Sequence, residues 1–143
     1  MINSICSIIL LVLILTSCNE QNWKSESTKD TSTIAMDLNN FKNTIEKIKT
    51  SDIYENPKNW EARGLNPSEQ SVIIGLRKAT NDFLNKLENI YNSDGSSESK
   101  LKQVSNIVDE LPWDELDTEE KEFMADELAP AIKAAGFNPW SIF

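Results

Sequence analysis

The chain is predicted to be all-α: a single antiparallel helical bundle of about four main helices plus one or two short ones. Three observations predict this. Large apolar residues recur at steps of three and four from Ile34 onward, which places them on single stripes of helices. Cap-then-proline pairs, Asn56-Pro57 and Asn66-Pro67, punctuate those stripes where helices should open. No stretch alternates apolar and polar residues as a half-buried strand would.

The first helix carries Ile34, Leu38, Phe41, Ile45 and Ile48 on one face, with Thr33 placed to cap it and an end near Lys49. Residues 50–65 are long for a helix–helix connection and should hold a short helix. Asn56-Pro57 would open it, Gly64 would close it, and Trp60 would face the core. The second main helix should open at Asn66-Pro67-Ser68-Glu69, with Asn66 as cap and Glu69 completing a capping box. Its stripe is Val72, Leu76, Ala79, Phe83, Leu87 and Ile90, widened by Ile73, Leu84 and Tyr91, until Asp94-Gly95 breaks it.

The third helix, Ser97 to Leu111, uses Leu101, Val104, Val108 and Leu111, and Pro112 stops it. The fourth starts at Asp117, with Glu120 three residues on as a second capping box. It buries Phe123, Met124, Leu128, Ala131, Ile132 and Ala135, and Gly136 suits a left-handed carboxy cap. Pro130 lies inside this pattern and should kink the helix near Asp126 or split it, since an interior proline costs about 3 kcal/mol. Trp60, Trp113 and Trp140 all lie at helix ends or loops, each near a proline, and are expected to plug gaps between helices.

Three segments follow from composition: a leader over 1–17, a lipidated cysteine with a flexible tether over 18–32, and the helical domain over 33–143. Between Ile5 and Leu15 only Cys6 and Ser7 are not large aliphatics. As a helix this run would span roughly 16 Å, about half of a ~30 Å hydrocarbon core, which suits a signal peptide better than a membrane span. Leu15-Thr16-Ser17-Cys18 follows it and resembles the lipobox of bacterial lipoproteins. That resemblance implies cleavage before Cys18, modification of its thiol with diacylglyceryl and palmitate-type chains, and a place on the cell envelope facing the periplasm or the exterior. Met1 to Ser4 hold no Lys or Arg, and the competing reading is an uncleaved anchor helix over Ile2–Cys18. From Asn19 to Thr33 the only large apolar residue is Trp23, so this stretch cannot bury enough surface to offset its ordering entropy.

After Cys18 there is no further cysteine, and histidine is missing throughout. A disulfide within the domain is therefore excluded, as are Cys–His and Ser–His nucleophilic centres and histidine metal ligands. No glycine-rich phosphate loop is present. The chemistry left open to an enzyme is a carboxylate pair of the glycosidase kind, which needs an apolar cleft to separate two acid pKa values.

Charge is distributed unevenly. Between Asp109 and Glu127 lie ten acids and one base, so this segment alone carries the chain's net charge of −9. The partner-binding candidates are Asp109, Glu110, Trp113, Asp114, Glu115, Asp117, Glu119 and Glu122, with Trp113 as an aromatic anchor among acids. Such a run reads as a solvated face, as a docking surface for a basic protein, or as a divalent-cation site. The cation reading lacks the alternating acidic loop with its central glycine, so no metal or other cofactor is expected. Nucleic acid is disfavoured because phosphate repels such a surface. The segment Leu111–Glu120 and the helix after it are similar to small helical bacterial domains of unknown function, which implies a helical fold and no known activity.

The reading that results is a non-enzymatic, lipid-anchored envelope protein that binds a basic protein and touches the membrane through its anchor only. Its sharper form is an immunity or inhibitor protein against a basic envelope-attacking enzyme. An envelope assembly or scaffold lipoprotein is the alternative, and a carboxylate-pair hydrolase comes third.

Overall fold

The computed structural model describes the backbone of residues 31–143 and the side chains of residues 37–143. Five α-helices follow one another: α1 (Thr31–Thr50), α2 (Pro57–Glu61), α3 (Gln70–Asn92), α4 (Ser97–Asp109) and α5 (Thr118–Ala134). Single 3-10 turns occupy Trp113–Glu115 and Pro139–Ser141, and no strand occurs among the described residues. The protein is thus an all-α bundle of four long helices and one short one. Among the described residues no helix is long and apolar enough to cross a membrane. The lipobox, Trp23, the tether up to Asp30 and the side chain of Ile34 lie outside the described residues.

Cross-helix contacts fix the directions. Phe41 of α1 stacks on Tyr91 at the end of α3, with ring centroids 4.1 Å apart, while Arg77 near the start of α3 reaches the Ile48 carbonyl. Helix α1 is therefore antiparallel to α3. Helix α4 also runs against α3, since Lys86 pairs with Glu110 and Lys100 donates to the Tyr91 carbonyl. Ser68 just before α3 meets Glu120 in the first turn of α5, so those two helices run side by side in the same sense.

The bundle therefore has two distinct ends. At the entry end lie the start of α1, the end of α3, the start of α4 and the end of α5. At the far end lie the end of α1, all of α2, the start of α3, the end of α4 and the start of α5. The 23 residues of α3 separate them by about 35 Å.

The core lies along the shared axis. Phe41, Ile45, Leu76, Phe83, Leu84, Leu87, Val104, Phe123, Met124, Leu128 and Ile132 are almost wholly enclosed, so the expected stripes meet one another. Tyr54 and Trp60 close the far end, edge-on to the Phe123 ring. The connection 50–65 does hold a short helix: Asn56 caps α2 by accepting from the Lys58 N–H, and Trp60 is buried. Gly64 and Gly136 have φ of 75° and 92°, and each closes its helix with the paired backbone bonds of a Schellman cap. In the second of these, Phe137 N–H reaches Ile132 O and Gly136 N–H reaches Lys133 O.

Several local expectations are corrected. Helix α1 already contains Thr33; Thr31, Ser32 and Thr33 all offer a capping oxygen, so residue type could not select among them. Asn66 does not cap α3. Glu69 takes that position without a side-chain bond, because the Ser68 hydroxyl is drawn to Glu120 and holds the segment extended. Helix α4 ends at Asp109, short of Leu111, and Ile107 joins its buried face in place of Leu101, which is exposed in the opening turns at the entry end. Pro130 does not split α5: it sits on the exposed side, where water can serve the carbonyl that its missing N–H leaves free.

Candidate interaction surface

The ten acids of Asp109–Glu127 do not form one patch. Folding uses four of them internally. Asp117 caps α5 by accepting from the Glu120 N–H at 2.8 Å, and Glu120 returns the bond from its own carboxylate to the Asp117 N–H at 2.9 Å. The second Glu120 oxygen accepts from the Ser68 hydroxyl at 2.6 Å. With both oxygens served, Glu120 is buried to 7% exposure as the N3 residue of a true capping box. Asp126 pairs with Arg63 at 2.8 Å, and Glu110 pairs with Lys86.

The candidate residues divide among three clefts. Glu110 and Glu115 border a cleft of about 290 Å³ between α3 and α4, where Lys86 pairs with Glu110 and Lys78 with Asp82. Asp117 and Glu119 edge a second cleft beside Trp60 and Gly64. Asp109, Trp113 and Glu122 line a groove of about 310 Å³ with Val108, Ala125, Ile142 and Phe143. Asp114 stands exposed in the 3-10 turn after Pro112. Asp109, Asp114, Glu115, Glu119 and Glu122 are all exposed and form no ion pair among the described residues.

Trp113 does not stand free among acids. Its indole N–H donates to the Val108 carbonyl at 2.8 Å, and its ring meets Phe143 edge-on at 6.2 Å. The polar atom is satisfied within the protein, and the ring forms a half-buried wall. Residues after Gly136 fold back to build the opposite wall. Pro139 is buried in the 3-10 turn, which brings Ile142 and Phe143 against α4 and α5. Trp140, expected to fill an internal gap, is 71% exposed: its turn is anchored by Pro139 and points the indole outward.

A second charged cluster, at the far end, was not anticipated. Arg77 donates to both Glu55 carboxylate oxygens, at 2.8 and 2.7 Å, and to the Ile48 and Ser51 carbonyls. This fork holds the Glu55 carboxyl below its ordinary range. Next to it the Tyr54 hydroxyl shares a hydrogen bond with Thr80 at 2.9 Å, and burial pushes the Tyr54 phenol well above its usual value. Glu127 of α5 faces Arg63, Arg77 and Lys47 from a partly buried position, and burial outweighs their attraction to raise its carboxyl. Arg63 lies over the Phe123 ring at 4.1 Å. The apolar stripes carried no sign of this cluster, because its members are polar and come from four separate segments. The available signal was Arg77 on a helix face otherwise made of core residues. Among the described residues no group of three or more acids or cysteines is placed to hold a metal ion.

No family model, curated protein or solved structure matches the chain.

Proposed function

We propose that this protein is a lipid-anchored, protein-binding module of the bacterial envelope, held through Cys18 and engaging a basic partner with its far end. One observation carries the reading: the chain enters the bundle at one end, whereas the five exposed acids of the Asp109–Glu122 run that form neither an ion pair nor a helix cap lie toward the other. An anchor upstream of α1 would join the bundle at the end about 35 Å from those acids and leave their end free for a partner. Opposite charge accelerates encounter and orients a partner, so a tethered acidic end suits capture of a cationic protein. The sharper form, an immunity or inhibitor protein against a basic attacker of the envelope, agrees with a chain that has no histidine and only one cysteine after residue 6.

The test uses the full-length protein in detergent-solubilised envelopes. It is run beside a version carrying Asp114→Asn, Glu115→Gln, Glu119→Gln and Glu122→Gln. The native protein should retain basic proteins with a yield that falls steeply as salt rises, and the amide version should not. Identical catches from both would sink the acidic-end reading. Separately, labelled palmitate should enter the native chain and not Cys18→Ala; label in that variant would remove the anchor.

A further inference from the structure

We infer that the groove between α4, α5 and the Ile142-Phe143 segment is the seat of the partner, and that it takes a cationic segment bearing one large apolar side chain. This rests on the proposed basic partner but goes further, naming a place and a chemistry. Trp113, Phe143, Ile142, Val108 and Ala125 supply apolar walls and floor, and the groove is mainly apolar inside. Its rim is acidic: Asp109 stands on α4 and Glu122 on α5, both exposed, against the single base Lys121. Glu119, one turn before Glu122 on the same helix, is also exposed and adds to the negative field at this end, although it borders the neighbouring cleft. Trp140, three residues before Phe143 in the same folded-back segment, is 71% exposed. Aromatic residues around an apolar centre with a charged rim are the arrangement that concentrates binding energy at protein interfaces.

Charge decides what fills it. A second copy of this chain would bring Asp109 and Glu122 against their own equivalents, and like charges so placed repel. Anionic lipid and nucleic acid are repelled by the same rim. A segment with Lys or Arg flanking a Leu, Phe or Trp satisfies both features at once: the apolar side chain covers the Trp113 and Phe143 rings, and the flanking cations meet Asp109 and Glu122.

The experiment uses the whole protein and a synthetic amphipathic peptide of Lys and Leu. An all-Lys peptide of equal charge and a Glu/Leu peptide serve as comparisons. Tryptophan emission reports docking, because Trp140 is exposed and Trp113 half-buried at the site. The Lys/Leu peptide should shift emission to the blue and protect it from acrylamide. Trp140→Ala, Phe143→Ala and Glu122→Lys should each weaken its binding by about tenfold. Circular dichroism must show unchanged helix content in these variants; Trp140 and Glu122 are exposed, so at least those two keep the test intact. Equal binding of all-Lys and Lys/Leu peptides would overturn the apolar seat while leaving the basic-partner reading in place. Preference for the Glu/Leu peptide would overturn both. Equal binding of Lys/Leu peptide to native protein and to all three variants would place the site elsewhere. Sedimentation showing a dimer that Phe143→Ala dissociates would give the groove to a second copy.

Discussion

Two charge-rich connections lie at the same end of the bundle and serve opposite ends. In the first, Lys49 to Gly64, nearly every polar group is spent on structure: Arg77 clasps Glu55 and two carbonyls, Arg63 covers Phe123 and pairs with Asp126, and the Trp60 indole donates to the Tyr54 carbonyl. In the second, Asp109 to Glu122, only the capping box and the Lys86–Glu110 pair are tied, and five acids project into solvent. The two charge-rich segments thus have different roles, the first balancing three acids with three bases and the second holding eight acids against one base. What separates them is whether a cation from another helix stands opposite, which is a property of the packing.

Breaking the first connection should have the largest effect. Trp60→Ala removes a side chain enclosed by Phe123 and Tyr54 and should cost about 3–5 kcal/mol in urea unfolding, enough to threaten the fold. Arg77→Ala should cost about 2–3 kcal/mol, since it strands Glu55 and the Ile48 and Ser51 carbonyls together. Arg77→Lys should recover only part of this, because one ammonium cannot reproduce the guanidinium fork. A full recovery by lysine, read from the same curves, would mean that charge and not the fork is at work.

Within the acidic run the contrast sharpens between neighbours on α5. Glu120→Ala should lose about 1–2 kcal/mol by opening the capping box and freeing Ser68, whereas Glu122→Ala should move stability by no more than about 0.5 kcal/mol. Equal losses would erase the division between structural and spare acids.

The smallest effect concerns pH. Burial raises the Glu127 carboxyl, so the folded state holds that proton to higher pH than the unfolded chain. The stabilising contribution of its neutral form is full below the ordinary glutamate value of 4.5 and is lost as pH rises through the higher folded value. Glu127→Gln keeps the neutral shape, so it should melt slightly above the native protein at neutral pH and match it in acid. Glu55, held low by Arg77, acts with the opposite sign: its contribution is present above 4.5 and lost as pH falls through its folded value. Glu55→Gln should therefore melt below the native protein at neutral pH, and the gap should close in acid. Melting curves of both variants at two pH values decide the pair of signs.

What could be read from the sequence was local. Asn56, Asp117 and Gly136 were legible as caps because each acts on backbone within a few residues, and the apolar stripes were legible because helical spacing alone sets them. Asn66 misled because the bond that settles the start of α3 joins Ser68 to Glu120, 52 residues away. Arg77 shares a helix face with core residues, but its acceptors lie 22 to 29 residues earlier and no local spacing points to them. Trp140 and Phe143 were illegible for a related reason: only the return of the chain along α4 and α5 decides which aromatic ring is covered. The acidic run was visible as composition, but its division among three clefts was not.

The antiparallel docking of α1 against both α3 and α5 has a mechanical consequence. A load applied at Thr31 and directed along the helix axis cannot peel α1 away one turn at a time. Phe41, Ile45 and Ile48 would be sheared together, and the Arg77 fork at the opposite extremity would act as a stop. A domain loaded from that side resists tension with its whole first helix in parallel.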